Sequence, residues 1–251
     1  MRIIEREDFL RPTAWSLIAA NLVPLLGVLF QGWDATEVAF LYWAETAIIG
    51  LIQILRMLTT RQFVNRQLLD LVKESEREEL LTTWGDPAPG KQIFHRLFLP
   101  TFFVVHFGFF IWIQGQILFS FVLSGFLDPS ISGSGGNLLP VIDFFLQRES
   151  VRTGLLSIGA AHMFNFLYGV FVHRRHEHDS VLIEFIAPYK RIIIQQFVVI
   201  LGAPLTLLMG GPAAALVLLI ALKTWFDLRA LRKQDEYFWL RQQPEPSKIE
   251  S

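Results

Sequence analysis

The chain has 251 residues, of which 52% are apolar and only 18% are Asp, Glu, Lys or Arg. Soluble domains carry about 25% charged residues, so this composition predicts that lipid solvates most of the chain. The net charge of −1 and the lack of cysteine exclude a free basic nucleic-acid-binding protein, a secreted disulfide module and a thiolate metal site. The expected partner is the lipid bilayer, with no nucleic acid.

Six apolar segments are long enough for a helix to cross about 30 Å of hydrocarbon. They lie at about residues 13–31, 36–57, 97–123, 153–173, 190–209 and 212–228. Because backbone polar groups in lipid must be paired within the protein, these segments predict an all-α integral membrane protein. The expected architecture is a six-transmembrane-helix bundle in one domain, residues 1–230, with a tail at 231–251.

Basic residues lie almost entirely on one side of these spans. Of the 22 Lys and Arg residues, Arg148 and Arg152 lie on the opposite side, Lys223 lies within the sixth span, and the other nineteen lie together. By the positive-inside rule, this distribution places both termini in the cytoplasm. We therefore expect a multi-pass protein of the inner (plasma) membrane.

The longest connection, residues 59–92, has apolar residues near helical spacing and basic residues along its first half. This pattern is typical of an amphipathic helix on the inner membrane surface. The helix is expected to end at the stretch from Gly85 to Gly90. On the other side, residues 138–147 are expected to form a short interfacial helix before the fourth span.

Ionisable side chains within the spans are the candidates for function, because each costs about 2.5–3.5 kcal/mol at the centre of a membrane helix. Glu45, His106 and His162 lie near mid-depth on the second, third and fourth spans. Two imidazoles and one carboxylate suit a divalent metal, another ion or a proton. Asn21 and Asn165 lie at similar depth as supporting hydrogen-bonding groups. The structural alternative is that each polar group only bonds a neighbouring helix.

Histidines recur eleven residues apart on spans three and four, which is about three helical turns. If these antiparallel spans are neighbours, His106 meets His162 at mid-depth and His95 meets His173 at the inner boundary. Two such pairs would suit bis-histidine haem. Haem is the weaker candidate cofactor, and a divalent metal is the stronger one.

A histidine-rich run follows the fourth span at the cytoplasmic boundary. His173, His176 and His178, together with His95, are weak candidates for a metal site there. A solvated juxtamembrane segment is the favoured interpretation of this run.

Lys223 and Asp227 lie four residues apart on the sixth span, where they can pair on one helix face or help to close the polar cluster around Glu45. Lys223 also lies near enough to the inner end for its ammonium group to snorkel to the surface. No phosphate-binding GxxxxGK[ST] or GxGxxG motif and no zinc-protease HExxH motif occurs in the sequence.

Short motifs on five of the spans point to one family. They are Ser16–Pro24, Leu41–Glu45, Val105–Gly108, Ala161–His162 and Lys223–Asp227. In these motifs the chain resembles a family of prokaryotic multi-pass membrane proteins that is known only as a domain of unknown function. The resemblance covers most of residues 13–230 and implies no activity. Members of that family often carry a second histidine where this chain has Gln114, which weakens a metal site with two histidines from that helix.

Three functions stay open from the sequence, and whether the protein is an enzyme is undecided. The first is an ion, metal or proton site of Glu45, His106 and His162, used for transport or metal-assisted chemistry. The second is a non-catalytic scaffold or complex subunit, in which the polar cluster only holds helices together. The third is a haem-binding or lipid-processing membrane enzyme. Either a homo-oligomer or a membrane-complex partner fits these functions.

Overall fold

The computed structural model describes residues 12–65, 68–69, 73–85, 89–123, 136–189 and 224–225. The helices are α1 (Pro12–Phe30), α2 (Ala35–Thr59), α3 (Glu74–Leu80), α4 (Pro89–Ile117), α5 (Leu139–Leu146), α6 (Glu149–Phe171), α7 (Arg175–His178) and α8 (residues 181–189). Single π-helical turns, Leu81–Gly85 and Leu118–Val122, extend α3 and α4. No strand occurs in this part of the chain, which confirms the predicted all-helical fold there.

Four helices are long and apolar enough to cross a membrane. They comprise Pro12–Phe30, Thr36–Thr59, Gly90–Ser120 and Glu149–Phe171. These helices correspond to the first four predicted spans, although α4 begins eight residues before the predicted start at 97. The predicted spans at 190–209 and 212–228 lie outside the described residues, apart from Thr224 and Trp225.

The outer faces of these helices expose large apolar side chains, as expected for a surface that contacts lipid. Phe30 on α1 is 78% exposed, and Leu156 and Phe171 on α6 are each 75% exposed. A soluble protein of this size would bury most such residues. The apolar surface of the four helices is therefore compatible with a membrane protein.

Helix α2 is the central element, with α4 and α6 packed along it and α1 packed against α6. A Cβ atom on Gly154 of α6 would lie 2.6 Å from Cδ1 of Leu41, and one on Gly50 would overlap the ring of Phe107 in α4. Leu41 and Gly50 are nine residues apart, or about two and a half turns, so they lie on opposite faces of α2. Helices α4 and α6 are therefore separated by α2.

The outer end of α2 is held by polar contacts that also fix its position against α6. Asp34 caps the helix and accepts a hydrogen bond from the Thr36 backbone N–H at 2.7 Å. Glu37, in the first turn, accepts one from Arg148, which directly precedes α6, at 2.8 Å. Helices α2 and α6 therefore begin side by side and run in the same direction.

Two apolar clusters fill the interior, one toward each end of α2. The outer cluster joins α2 to α5 and α6, and its Phe40 and Phe145 rings stack with centroids 4.6 Å apart. The second apolar cluster joins α2 to α4 and α8 through Met57, Phe103 and Val181. These clusters fix the helices that carry the polar residues of α2.

The amphipathic helix predicted over 59–92 is present only in part. Helix α3 has seven residues and none of them is buried. The chain near Phe63 is not helical, because Gln62 forms an isolated parallel bridge with Ser180 and the Ser180 hydroxyl donates to the Phe63 carbonyl. Pairing with the segment before α8 thus holds this stretch extended. The short helix expected over 138–147 is confirmed as α5.

Candidate functional site

The Glu45–His162 pair joins the middle of α2 to the middle of α6. Glu45 Oε1 and His162 Nε2 are 3.0 Å apart, and the two side chains are 3% and 8% exposed. A carboxyl group and an imidazole at this distance share one hydrogen bond, in which either the imidazole N–H or the carboxyl O–H donates. The structure thus brings together two of the three candidate residues, and we call them the buried pair.

Two asparagines lie in the neighbouring contact between α1 and α6. Asn165, three residues after His162, is buried and its Oδ1 accepts a hydrogen bond from Ser16 Oγ of α1 at 3.0 Å. Asn21 is also buried, and its Nδ2 donates to the Leu17 carbonyl one turn earlier at 3.0 Å. The bond between Ser16 and Asn165 holds α1 against the face of α6 that carries His162.

His106 does not join the buried pair. It is exposed, and its ring stacks on Phe102 at 5.5 Å and lies 5.8 Å from the ring of Tyr189. The expectation that His106 meets His162 is wrong, because α2 lies between the two helices. On α4 it is the next residue, Phe107, that is buried against α2.

The histidine pair expected at the inner boundary is not formed either. His95 packs against Trp84 with ring centroids 4.3 Å apart, whereas His173 packs against Tyr168 at 5.1 Å. The two histidines have different partners because they belong to α4 and to the end of α6, on opposite sides of α2. Neither bis-histidine pair proposed for haem is therefore present.

The remaining candidates do not build a metal site. His178 is exposed, and its backbone carbonyl accepts a hydrogen bond from Asn65. His176 lies beside a cavity at the inner end of α6. Within the described residues, no group of three or more His, Asp and Glu side chains is arranged to hold a metal ion. Lys223 and Asp227 lie outside the described residues.

A cluster of buried charges lies at the inner end of α2, about 16 Å along the helix from Glu45. Arg56 Nη1 is 3.9 Å from a carboxylate oxygen of Glu184 in α8, and Gln53 Nε2 donates to that same oxygen. Arg175 and Asp179 are both buried and border the same cavity as Arg56 and Glu184. We call Arg56, Arg175, Asp179 and Glu184 the inner cluster.

The turn after α6 directs Arg175 into this cavity. Arg174 has a left-handed backbone with φ of 49°, which is uncommon for a residue with a Cβ atom. The reversal lays Arg175 against α6, where a Cβ atom on Gly169 would lie 3.3 Å from Cδ of Arg175. A small residue at 169 and a tight turn at 174 thus bury an arginine that would otherwise be solvated.

The electrostatics of the inner cluster are dominated by desolvation. Burial raises the pKa of Glu184, Arg56 opposes that change, Asp179 adds to it, and Gln53 and Arg175 oppose it. The two carboxylates therefore lie close enough to repel one another. Positive charge supplied to this cavity would stabilise both of them.

The sequence between residues 4 and 244 matches a family model described as a family of unknown function, DUF6498. The chain belongs to this family. The resemblance to a domain of unknown function is thereby confirmed, and the DUF6498 match includes both the buried pair and the inner cluster. Searches among curated proteins and among solved structures returned no match. Membership in DUF6498 assigns no activity, so function must be argued from the geometry.

Sequence reasoning missed the inner cluster of this DUF6498 protein. In the sequence, Arg56 and Arg175 contribute only to the distribution of basic residues that indicates the topology. Asp179 and Glu184 lie in the connection after the fourth apolar segment. One signal was available, because Gln53 and Arg56 lie three residues apart on one face of the last turns of a span. Their partner Glu184 is 131 residues from Gln53 in the chain, which no helical spacing can indicate.

Proposed function

We propose that this protein is a proton-handling membrane protein in which Glu45 and His162 share and exchange a proton. The observation that carries the proposal is the 3.0 Å contact between Oε1 and Nε2, made between two helices that are each able to cross a membrane. An acid and an imidazole in contact can bind one proton in either of two places. Such groups within the membrane are expensive and commonly mark ion or proton pathways.

The geometry favours a proton over a metal ion as the species handled. A metal site needs three or four protein ligands, or open positions completed by water. Within the described residues, the buried pair supplies one imidazole and one carboxylate, His106 lies on the far side of α2, and no group of three or more His, Asp and Glu side chains could hold a metal ion. Two groups are sufficient to bind and release a proton, whereas they are a weak ligand set for zinc or iron.

A route from the cytoplasmic side supports this function. The cavity at the inner cluster is bordered by Phe166, which lies four residues, or one helical turn, after His162 on the same face of α6. Cytoplasmic water in this cavity would therefore be separated from the imidazole by about one turn of helix, roughly 6 Å.

We further infer that the chain crosses the inner membrane six times, with both termini in the cytoplasm. The support is the distribution of Lys and Arg together with the six apolar segments. Helices α2 and α6 both lead toward the side rich in basic residues. In this topology the inner cluster lies at the cytoplasmic surface and the buried pair lies near the membrane centre.

Infrared difference spectroscopy of the protein in lipid nanodiscs tests the proposal. Spectra taken between about pH 5 and 8, where imidazole changes its charge, are expected to contain carboxyl and imidazole bands from the pair. Glu45→Gln should remove the carboxyl band and alter the imidazole band. In liposomes loaded with a pH-sensitive dye, the same substitution should abolish the proton movement that follows an external pH step.

His106→Gln is the matched control, because it removes a histidine of a neighbouring membrane helix that does not contact the pair. It should keep both bands and the proton movement. Wild-type spectra without bands that depend on Glu45 and His162 would contradict the proposal. If, in addition, the Glu45 variant lost only stability, the pair would be a structural contact of a non-catalytic scaffold.

A further inference from the structure

His176 is a partly buried histidine whose two ring nitrogens lie in different surroundings. Its side chain is 21% exposed, and its Nε2 lies 3.7 Å from a carboxylate oxygen of the partly exposed Glu177. The other nitrogen, Nδ1, is buried and has no hydrogen-bond partner within the described part of the chain. Such an imidazole can accept a proton at one nitrogen and donate a proton from the other.

The cavity that His176 borders has room for about one water molecule. About 20 Å³ of the cavity is accessible to the centre of a water, and a single water needs about 10–15 Å³. Besides the inner cluster, Thr59 and Thr60 at the end of α2 contribute to its lining. An internal water needs two to four polar partners, and this lining provides them. The cavity therefore suits one ordered water.

Backbone contacts hold His176 beside this cavity. The backbone N–H of Arg61, which follows α2, donates a hydrogen bond to the His176 carbonyl at 2.9 Å. The left-handed turn at Arg174 begins α7, and the Glu177 N–H donates to the Arg174 carbonyl at 2.9 Å. The ring is thus carried by a segment that is fixed on two sides, as a group that transfers protons at a defined place requires.

Charged groups from every neighbouring element surround His176. On the cavity side they are the inner cluster, which comes from α2, α7, the following turn and α8. On the other side, Glu177 is paired with Arg174 at 2.7 Å and lies 3.8 Å from Arg61. Each side of the ring therefore includes a carboxylate that can stabilise the protonated imidazole.

Of the three histidines in the run after α6, His176 is the one that borders this cavity. His178 is exposed, and the ring of His173 packs edge-on against Tyr168. The cavity also includes Phe166, one helical turn after His162. His176 is therefore the imidazole of this run that is placed between the cytoplasmic side and the buried pair.

We infer that His176 and one water in this cavity form the cytoplasmic entry for protons that reach the buried pair. The inference rests on the proposed function, because it names the group that supplies protons to Glu45 and His162. In the inward direction Nε2 accepts a proton from the cytoplasm, and Nδ1 then gives its own proton to the water, so that the ring is neutral again. The water in turn releases a proton toward His162. Release to the cytoplasm uses the same atoms in the reverse order.

The experiment measures proton movement into liposomes that contain the full chain and an enclosed pH-sensitive dye. After an external pH step, His176→Gln should slow this movement by about a hundredfold, the lower end of what a positioned acid–base group contributes. His176→Glu has nearly the same size as His176→Gln but can carry a proton, so it should retain most of the rate. It should also shift the pH dependence of the rate toward lower pH, because carboxyl groups ionise about two pH units below imidazole.

His178→Gln is the matched control, because it removes an exposed histidine that lies two residues away and does not border the cavity. This variant should move protons at the wild-type rate. All variants should keep the infrared bands of Glu45 and His162, which shows that they are folded around an intact pair.

The outcomes distinguish this inference from the proposed function. If proton movement requires Glu45 but is as fast in His176→Gln as in the wild type, the entry through His176 is wrong and the proposed function stands. If His176→Gln and His176→Glu are equally slow while the infrared bands persist, His176 has a structural role and the inference is overturned. A wild type that moves no protons would overturn both. Should His176→Gln fail to fold, an unchanged pH dependence of the rate in His176→Glu would still contradict the inference.

Discussion

The buried pair and the inner cluster are two polar sites on the same helix, and they solve different problems. The pair joins an ionisable group in the middle of α2 to one in the middle of α6 by a hydrogen bond. The cluster gathers four charges at the C-terminal end of α2, where Arg56 and Glu184 are 3.9 Å apart beside a cavity. The middle of α2 thus contributes to a pair of buried side chains, whereas its C-terminal end contributes to a larger group beside an open cavity.

The difference follows from the cost of desolvation. At the membrane centre each charged group costs several kcal/mol, so a second polar group is placed only where it shares a proton or a bond with the first. At the boundary, long side chains can reach water and counter-charges. A binding cavity is therefore easier to build at the boundary, and a proton site is easier to isolate at the centre.

The largest expected effect comes from removing one charge of the inner cluster. Arg56→Met should lower the free energy of unfolding by about 3 kcal/mol, because it removes the guanidinium group that lies 3.9 Å from the buried Glu184 carboxylate. Titration of the folded protein with SDS in a mild detergent measures this loss. The double variant Arg56→Met, Glu184→Gln should recover part of it, since no carboxylate is then left behind.

Arg61→Met is the matched control for that loss. The Arg61 side chain is 69% exposed, and it lies 3.8 Å from Glu177 at the surface. Surface ion pairs contribute about 0–1 kcal/mol, so this variant should change stability by less than about 1 kcal/mol. If Arg61→Met lowered the free energy of unfolding as much as Arg56→Met does, the arginine of the inner cluster would contribute no more to stability than a surface arginine.

A second effect is the pH dependence that Glu184 adds to stability. Its pKa in the folded protein is raised above the ordinary 4.5, so the folded chain holds this proton to higher pH than the unfolded chain does. The stabilisation is present below the ordinary value and is lost as pH rises through the raised one. Glu184→Gln should therefore make the free energy of unfolding depend less on pH between the ordinary and the raised pKa. If the free energy of unfolding had the same pH dependence in the wild type and in Glu184→Gln, the raised pKa of Glu184 would be contradicted.

A smaller effect is expected at the buried pair. A double-mutant cycle of Glu45→Gln and His162→Gln should give a coupling energy of about 0.6 to 2 kcal/mol, the range for hydrogen bonds between membrane helices. Unfolding in SDS measures all four proteins. Ser16→Ala, which removes the bond to Asn165, should not couple to Glu45→Gln. A coupling of zero between Glu45 and His162 would mean that they do not contact one another.

The sequence was sufficient to predict the all-helical fold of the described residues, the first four apolar helices and the residues of the buried pair. The pair could be predicted because ionisable residues are scarce within the apolar segments, and Glu45 and His162 are among those few. The sequence was not sufficient to predict which helices are neighbours. Spans three and four are consecutive in the chain, yet Gly50 contacts Phe107 on one face of α2 and Leu41 contacts Gly154 on the other.

The inner cluster escaped prediction for the opposite reason. Charged residues are abundant between the apolar segments, so Arg175 and Asp179 have no distinguishing pattern there. Their burial depends on the left-handed turn at Arg174 and on the space above Gly169, which are features of tertiary structure. Periodicity reports which face of a helix a residue occupies, and it carries no information about a partner contributed by a distant turn.

The smallest expected effect is at His106, and it tests the position of α2 between α4 and α6. His106→Leu should change the free energy of unfolding by about 0.5 kcal/mol or less, because the ring is exposed and, among the described residues, stacks on Phe102 and lies beside Tyr189. A double-mutant cycle with His162→Gln should give no coupling, since the two side chains lie on helices that α2 separates. A clear coupling would require α4 to contact α6 directly. His106 would then be a candidate third ligand beside Glu45 and His162. A metal site would in that case be the better proposal for these residues.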